Sequence, residues 1–177
     1  MKINKAAWFG ALVLAAASGW AQTSGPTDAQ IAAIVVTANQ VDIDAGKLAQ
    51  SMAASKDVKE FARLMITDHS GVNKSATELV QKLKVKPEDN PTSASLKKGG
   101  DDNIAKLKTL KGAAFDRAYV EQEVTYHVNV LEAIDKTLIP SAKNEELKAL
   151  LVKVRPAFVA HLEHARKLQS QLGKSGG

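Results

Sequence analysis

The chain has 177 residues, a formal net charge of +5 and no cysteine. This length suggests one domain with enough chain to bury a hydrophobic core, and the mild positive charge does not indicate nucleic-acid binding, which needs a concentrated basic face. The absence of cysteine excludes disulfides, thiolate metal sites, cysteine nucleophiles and a lipid-bearing cysteine.

The start of the chain has the three-part pattern of a secretory signal peptide, over residues 1–21. Lys2 and Lys5 form a positive start, Ala6 to Trp20 is apolar apart from one serine, and small residues surround a cleavage site after Ala21. A transmembrane anchor is the alternative, but an apolar run of about 15 residues is short of the roughly 20 that a span needs. We therefore predict an exported, periplasmic domain over 22–177. Its net charge falls to +3, because two lysines and no acidic residue leave with the signal.

Two long helices are predicted to follow, joined by a short turn. Apolar residues recur at helical spacing over 28–53, with Thr27 or Asp28 as the N-cap, and again from about residue 56 to Leu83. A connection this short places the two helices side by side in antiparallel orientation.

The segment 84–112 has the composition of a connection. It contains two prolines, two serines and the pair Gly99-Gly100, and Asp101 is predicted to cap a short helix. Almost thirty residues are long for a loop in a compact domain. We therefore expect this segment to run back along the bundle and to set the third long helix parallel to the second.

The last two long helices are predicted over about 113–138 and 144–172. We expect Pro140 to end the first of them, Asn144 to cap the second, and Pro156 to kink it by removing one backbone hydrogen bond. The predicted fold is therefore all-α. It is a four-helix bundle of ferritin-like topology, with two antiparallel helical hairpins joined by a long crossover that carries a short helix.

Five polar residues are predicted to meet near the mid-height of this bundle. A helix rises about 1.5 Å per residue, so residues equally far from the connecting turns lie at the same level. Each of these side chains also lies on or beside the apolar stripe of its helix. The layer consists of Asp42, His69, Glu123, His127 and His161.

One interpretation of this layer is structural. A histidine on an apolar face is commonly a core residue whose ring nitrogens bond to neighbours, and such a network would fix the register of the helices. The side chains available as partners are Asn73, Tyr119, Gln122 and Tyr126.

The other interpretation is a metal centre. Imidazole suits iron, zinc and copper, and carboxylates complete such sites, so three histidines with one or two carboxylates are chemically sufficient. In this interpretation His69, His127 and His161 are ligands. Glu123 and Asp42 are either ligands or residues that orient them.

Two other site chemistries find less support. A di-iron site uses Glu-x-x-His on two helices, whereas Glu123 and His127 are four residues apart. The position three before His69 is Ile66, where such a site needs a glutamate. Ser70 adjoins His69, but neighbours in a helix do not face each other, so no nucleophilic triad and no catalytic residue is predicted.

Segments of all four long helices match the pattern of a known family. They are Asn39 to Ala49; Phe61-Ala62 with Met65 and Asp68-His69-Ser70; Phe115 to Tyr119 with His127; and Pro156 with His161-Leu162-Glu163-His164-Ala165. Together they resemble the bacterial exported ferritin-like domain-of-unknown-function family numbered 4142, over essentially the whole mature chain. The resemblance implies a periplasmic or outer-membrane-associated helical bundle and no established activity. Asp42 departs from the pattern, since glutamate is expected there more often.

We therefore expect an exported helical-bundle protein that acts as a non-enzymatic binding or stress-related module. A metal-dependent redox enzyme is one alternative, which turnover with peroxide or oxygen would distinguish. A purely structural or partner-binding bundle is the other, and an exposed apolar stripe around Ile104 and Leu107 would favour it. The sequence indicates no nucleic-acid partner, no membrane segment after signal removal and no particular protein partner.

Overall fold

A computed structural model of the protein describes residues 25–174. Its elements are α1 (Asp28–Met52), α2 (Lys56–Lys82), α3 (Pro91–Lys108), α4 (Gly112–Ala133), a π-helical turn (Ile134–Leu138), α5 (Ile139–Ser141) and α6 (Glu145–Lys174). The predicted all-helical class is confirmed, with no strand among these residues. The signal peptide predicted for residues 1–21 lies outside them. None of the described helices is long and apolar enough to cross a membrane.

Side-chain caps define the starts of three long helices. Thr27 and Gln30 form a capping box at α1, and Ser55 accepts a hydrogen bond from an amide in the first turn of α2. Asn144 accepts hydrogen bonds from two amides of α6. Each cap serves amides that the helix itself leaves without partners and contributes about 1 kcal/mol to stability. Of the two N-caps predicted for α1, Thr27 or Asp28, the structure shows Thr27, and the cap predicted at Asn144 is confirmed.

Two apolar clusters occupy the two ends of the bundle. The first joins the end of α1, the starts of α2 and α4, and the end of α6; the second joins the start of α1, the end of α2, the π-helical turn and the start of α6. Their members include Ala49, Phe61, Phe115 and Ala165 in the first, and Ile31, Ala76, Ile134 and Leu151 in the second. The helix pairs α1–α2 and α4–α6 are therefore antiparallel, and α2 runs in the same direction as α4.

Helix α3 is longer than the sequence predicts. Asn90 caps its first amides, and Pro91 suits the first turn because its φ is already helical. The helix then continues through Gly99-Gly100, so the expected short helix beginning at Asp101 was wrong. A Cβ on Gly100 would lie 2.8 Å from both methyl groups of Val41 on α1. Gly100 therefore allows close packing of the two helices and does not end α3.

The helical structure around Pro140 also extends further than predicted. It continues past Leu138 to Ser141 through the π-helical turn. A proline ring clashes with the carbonyl four residues before it and has no amide to donate, and a wider turn relieves this conflict. Pro156 lies inside α6, which is helical from Glu145 to Lys174.

Candidate metal centre

The five predicted site residues meet between the two apolar clusters. Asp42 comes from α1, His69 from α2, Glu123 and His127 from α4, and His161 from α6, and none is more than 3% exposed. The centroids of the three imidazole rings lie 5.3–5.6 Å apart. Four helices therefore bring three histidines and two carboxyl groups to one buried level.

The buried side-chain amide of Asn39 fixes the tautomer of His69. Asn39 Nδ2 donates to the carbonyl of Val35 at 2.7 Å, so Asn39 Oδ1 faces His69 Nδ1 at 2.8 Å. An amide oxygen only accepts, so Nδ1 of His69 carries the proton and Nε2 carries a lone pair. That free Nε2 lies 3.3 Å from Asp42 Oδ2.

The other two histidines are oriented by acceptors in the same way. His127 Nδ1 donates to the carbonyl of Glu123 at 3.0 Å, one turn earlier in α4. His161 Nε2 donates to Asp68 Oδ2 at 2.8 Å, across the contact between α6 and α2. The lone pairs are therefore on His127 Nε2 and His161 Nδ1. One nitrogen from each of the three rings lies within 4.8 Å of those from the other two.

Asp42 and Glu123 complete the layer on the side of α1 and α4. Asp42 Oδ2 lies 3.7 Å from His127 Nε2, and Glu123 Oε2 lies 3.5 Å from His127 Nδ1. One carboxyl oxygen from each acid and one nitrogen of His127 lie within 4.8 Å of one another. The short side chain of Asp42 therefore reaches the histidines, although glutamate was expected at this position.

Six atoms of the layer have no hydrogen-bond partner among the described residues. They are both carboxyl oxygens of Asp42, Glu123 Oε2, His69 Nε2, His127 Nε2 and His161 Nδ1. A buried polar group without a partner costs about 1–3 kcal/mol, and more if it is charged. All six atoms offer electron pairs, so one cation can satisfy several of them at once.

Burial shifts the layer towards its neutral form. It raises the pKa of Asp42 to about 8, and it raises the pKa of Glu123 well above its usual range, with the charge of Asp42 adding to the effect. It lowers the pKa of His127 to about 4 and also lowers the pKa values of His69 and His161. In the metal-free layer these shifts favour neutral imidazoles and protonated carboxyl groups, and a bound metal ion would displace the carboxyl protons.

Phe158 on α6 forms an apolar wall beside the histidines. Its ring centroid lies 4.9 Å from that of His69, 5.9 Å from that of His127 and 6.0 Å from that of His161. Such a wall keeps bulk water away and strengthens electrostatic interactions inside the layer.

Two cavities approach the layer. The α3 cavity, of about 460 Å³, lies between α1, α3 and α4, and Asp42 and Glu123 are on its wall. The α6 cavity, of about 480 Å³, lies between α2 and α6 and is bounded by Asp68, His69 and His161. A third, largely apolar cavity of about 680 Å³ extends along the second apolar cluster.

The orienting residues Asn39 and Asp68 were not predicted as site residues. Asn39 lies nearly one turn before Asp42 on the same helix face, so its spacing was a usable signal. Asp68 adjoins His69 in sequence but bonds to His161, and helix periodicity does not indicate this contact.

The hydrogen-bond partners of the three histidine rings are not the side chains expected for a structural network. The Tyr126 hydroxyl donates to the carbonyl of Ala38 at 2.7 Å instead of bonding to a histidine. The Tyr119 hydroxyl interacts with the Glu123 carboxyl group, not with a histidine, and Asn73 Oδ1 has no hydrogen-bond partner in the part of the chain that the structure describes. The histidines are therefore held by outer acceptors, while the free nitrogens of His69 and His127 both lie near Asp42 Oδ2.

Comparison with known proteins identifies a family. A search of curated proteins and a search of solved structures both return no match. The family model described as Domain of unknown function (DUF4142) matches residues 13–168, which is most of the chain. The resemblance drawn from the helix motifs is thereby confirmed, and the protein belongs to the DUF4142 family.

Proposed function

We propose that this protein is an exported, periplasmic module that binds a transition metal ion in the middle of a bundle of ferritin-like topology. The observation that carries the proposal is the convergence, at one buried level, of three imidazole rings that each have one nitrogen without a hydrogen-bond partner, together with two buried carboxyl groups. The parallel course of α2 and α4, joined by the long connection that contains α3, supports the ferritin-like topology.

The ligands in this proposal are His69, His127 and His161, with Asp42 and Glu123 as ligands or orienting groups. Metal-bound imidazoles commonly donate their second nitrogen to a carboxylate or a carbonyl, which fixes the ring and raises its basicity. The bonds of His161 to Asp68 and of His127 to a backbone carbonyl have this form. Imidazole with carboxylate suits iron, zinc or copper.

A purely structural layer accounts less well for the geometry. Two carboxyl protons can serve at most two of the three imidazole lone pairs, and a partly satisfied buried network is less favourable than an apolar core. The apolar stripe that would favour a partner-binding bundle is also not exposed, since Leu107 is fully buried and Ile104 is half-buried.

A metal-dependent redox enzyme is the second candidate. The α3 cavity favours it, because a small molecule there would lie beside Asp42 and Glu123. Turnover of peroxide or oxygen by the metal-loaded protein would identify an enzyme. Stable metal binding without turnover is the result expected for a non-enzymatic module.

Elemental analysis of the mature protein tests the proposal. The protein is purified without chelator and without a histidine tag, beside the double variant His69→Ala, His161→Ala. The control is His164→Ala, because the His164 ring packs against Phe61 at 5.0 Å, outside the candidate ligand groups. We expect near-stoichiometric metal in the wild type and the control, and loss of it in the double variant.

Two further results bear on the proposal. A wild-type protein that stays empty after incubation with zinc, iron and copper would return the histidines to a structural role. Export is tested separately by the intact mass of protein recovered from the periplasm, which we expect to correspond to a chain cleaved after Ala21. Recovery of the uncleaved chain from the cytoplasm would contradict this part.

A further inference from the structure

We infer that metal ions reach the centre through the α3 cavity, an inference that rests on the metal-binding function proposed above. This cavity of about 460 Å³ is open at the surface between α1, α3 and α4, and Asp42 and Glu123 lie on its wall. These are the two carboxyl groups of the layer. A cation moving along the cavity therefore meets the oxygen ligands of the centre first.

The other groups on the cavity wall also suit a cation. Ser95, Asn103 and Gln122 offer oxygen atoms, and no lysine, arginine or histidine is among the described residues that line it. Oxygen atoms can replace the water molecules of a hydrated metal ion step by step, and no fixed positive charge on the wall repels the ion.

The α6 cavity presents the wrong groups to a cation. Lys153 lines it and carries a positive charge. The nitrogen of His161 that bonds to Asp68 is Nε2, which holds its proton, while the lone pair on Nδ1 is on the other side of the ring. Phe158 also lines this cavity and packs against His69. A metal ion arriving there meets an ammonium group and an apolar ring, and the Asp68 carboxylate on this wall is already bonded to the N–H of His161.

Helix α3 forms the outer wall of the proposed route. Gly99 lines the α3 cavity, and a Cβ at this position would have no atom within 4 Å. The next residue, Gly100, packs against Val41, which precedes Asp42. A large side chain at position 99 therefore has room to narrow the cavity without displacing α3 from α1.

The α6 cavity offers a matched control. Gly71 lines it, lies in the interior of α2 and would also have no atom within 4 Å of an added Cβ. Gly99→Phe and Gly71→Phe thus make the same change on the walls of two different cavities. Gly99→Ala and Gly71→Ala control for the gain in helix propensity, since alanine adds little volume.

The experiment measures the rates at which cobalt(II) enters and leaves the metal-free protein, from the visible absorption of the bound ion. Loading is followed after rapid mixing, and release is followed after an excess of chelator is added. We expect Gly99→Phe to slow loading and release by the same factor and to leave the equilibrium affinity unchanged. Gly71→Phe and both alanine variants should keep wild-type rates.

Slower exchange in Gly71→Phe with normal exchange in Gly99→Phe would overturn the inference, as would equal rates in both variants. If Gly99→Phe fails to fold, Ser95→Trp narrows the same cavity from the preceding turn of α3 and is judged by the same criteria. A wild-type protein that binds no cobalt, zinc, iron or copper would refute the proposed function itself. A loaded wild type with exchange through the α6 cavity would refute only the route.

Discussion

Asn39 Oδ1 and His69 Nδ1 lie 2.8 Å apart inside the bundle, and this hydrogen bond decides which nitrogen of His69 is free. The Asn39 amide is in turn held by its donation to the carbonyl of Val35 at 2.7 Å. Two helices thus cooperate to direct one lone pair towards Asp42. An outer residue of this kind positions a ligand without touching the metal.

Asn39→Ala is predicted to weaken metal binding. Without its acceptor, the His69 ring is free to rotate and to change tautomer, and loss of such an outer partner typically costs about 10–100-fold in metal affinity. Calorimetric titration with zinc measures the effect. The control is Gln40→Ala, because Gln40 is exposed and bonds to Asp44 on the surface. Equal zinc affinity in Asn39→Ala and the wild type would contradict the prediction.

The metal-free protein is predicted to be most stable near pH 6.5. Burial lowers the pKa values of the three layer histidines from their ordinary 6.5, so below this pH the unfolded chain takes up more protons than the native one and stability falls. The raised pKa values of Asp42 and Glu123 act in the opposite direction. As the pH rises towards 8 the unfolded chain has lost these protons and the native chain has not, so stability falls again.

The numbers of histidines and carboxyl groups in the layer determine how stability depends on pH. Well below pH 6.5 the three histidines of the unfolded chain outweigh the two carboxyl groups, and well above pH 6.5 the carboxyl groups act alone. Each proton held unequally changes the free energy of unfolding by about 1.4 kcal/mol per pH unit. Thermal unfolding in chelator between pH 5 and pH 8 measures the profile. A midpoint that keeps rising from pH 6.5 to pH 8 would be inconsistent with the raised carboxyl pKa values.

Asp42→Asn is predicted to have opposite effects on stability and on metal binding. The amide is neutral and has the size of the protonated carboxyl group. In chelator, the loss of stability between pH 6.5 and pH 8 should therefore become shallower by up to about 1.4 kcal/mol per pH unit. Zinc affinity should fall, because an anionic group beside His69 and His127 is removed.

The control for this variant is Asp44→Asn. The side chain of Asp44 is 43% exposed and lies 3.5 Å from Lys47 at the surface, so both the pH profile and zinc affinity should stay unchanged. Asp42→Asn protein with an unchanged alkaline slope would show that Asp42 is already ionised in the native state below pH 8.

Substitution by alanine is predicted to have opposite effects on stability at two adjacent glycines of α3, Gly99 and Gly100. A Cβ on Gly100 would lie 2.8 Å from the Val41 methyl groups, and overpacking of this kind costs about 1–3 kcal/mol. Gly99→Ala meets nothing within 4 Å and should stabilise the protein by about 0.5–1 kcal/mol, since alanine loses less backbone entropy on folding. Urea unfolding of both variants gives the comparison. Equal stability of the two would mean that α3 does not pack closely on α1.

Local patterns in the sequence predicted much of the fold. The apolar stripes of the long helices and the caps at Thr27 and Asn144 depend on residues close together in the chain, so they are readable without a structure. The same holds for the membership of the polar layer, because a constant helical rise places Asp42, His69 and the α4 and α6 residues at comparable heights.

The length of α3 could not be predicted from local sequence patterns. Gly99-Gly100 and Pro91 signal breaks when only their neighbours are considered. In the structure Pro91 occupies the first turn, and Gly100 is needed because Val41, about sixty residues earlier in the chain, packs against it. Contact with a distant element decided the conformation, and local propensity was overridden.

The sequence by itself determined the helical class, the principal helices and the identity of the three histidines and two acids, because helix periodicity and rise are properties of a continuous chain. Only the tertiary structure decided which nitrogen of each ring is free and in which direction the pKa of each carboxyl group is shifted. Those properties depend on Asn39, which is 30 residues from His69, and on Asp68, which is 93 residues from His161. They also depend on burial, which arises only when four helices close around the layer.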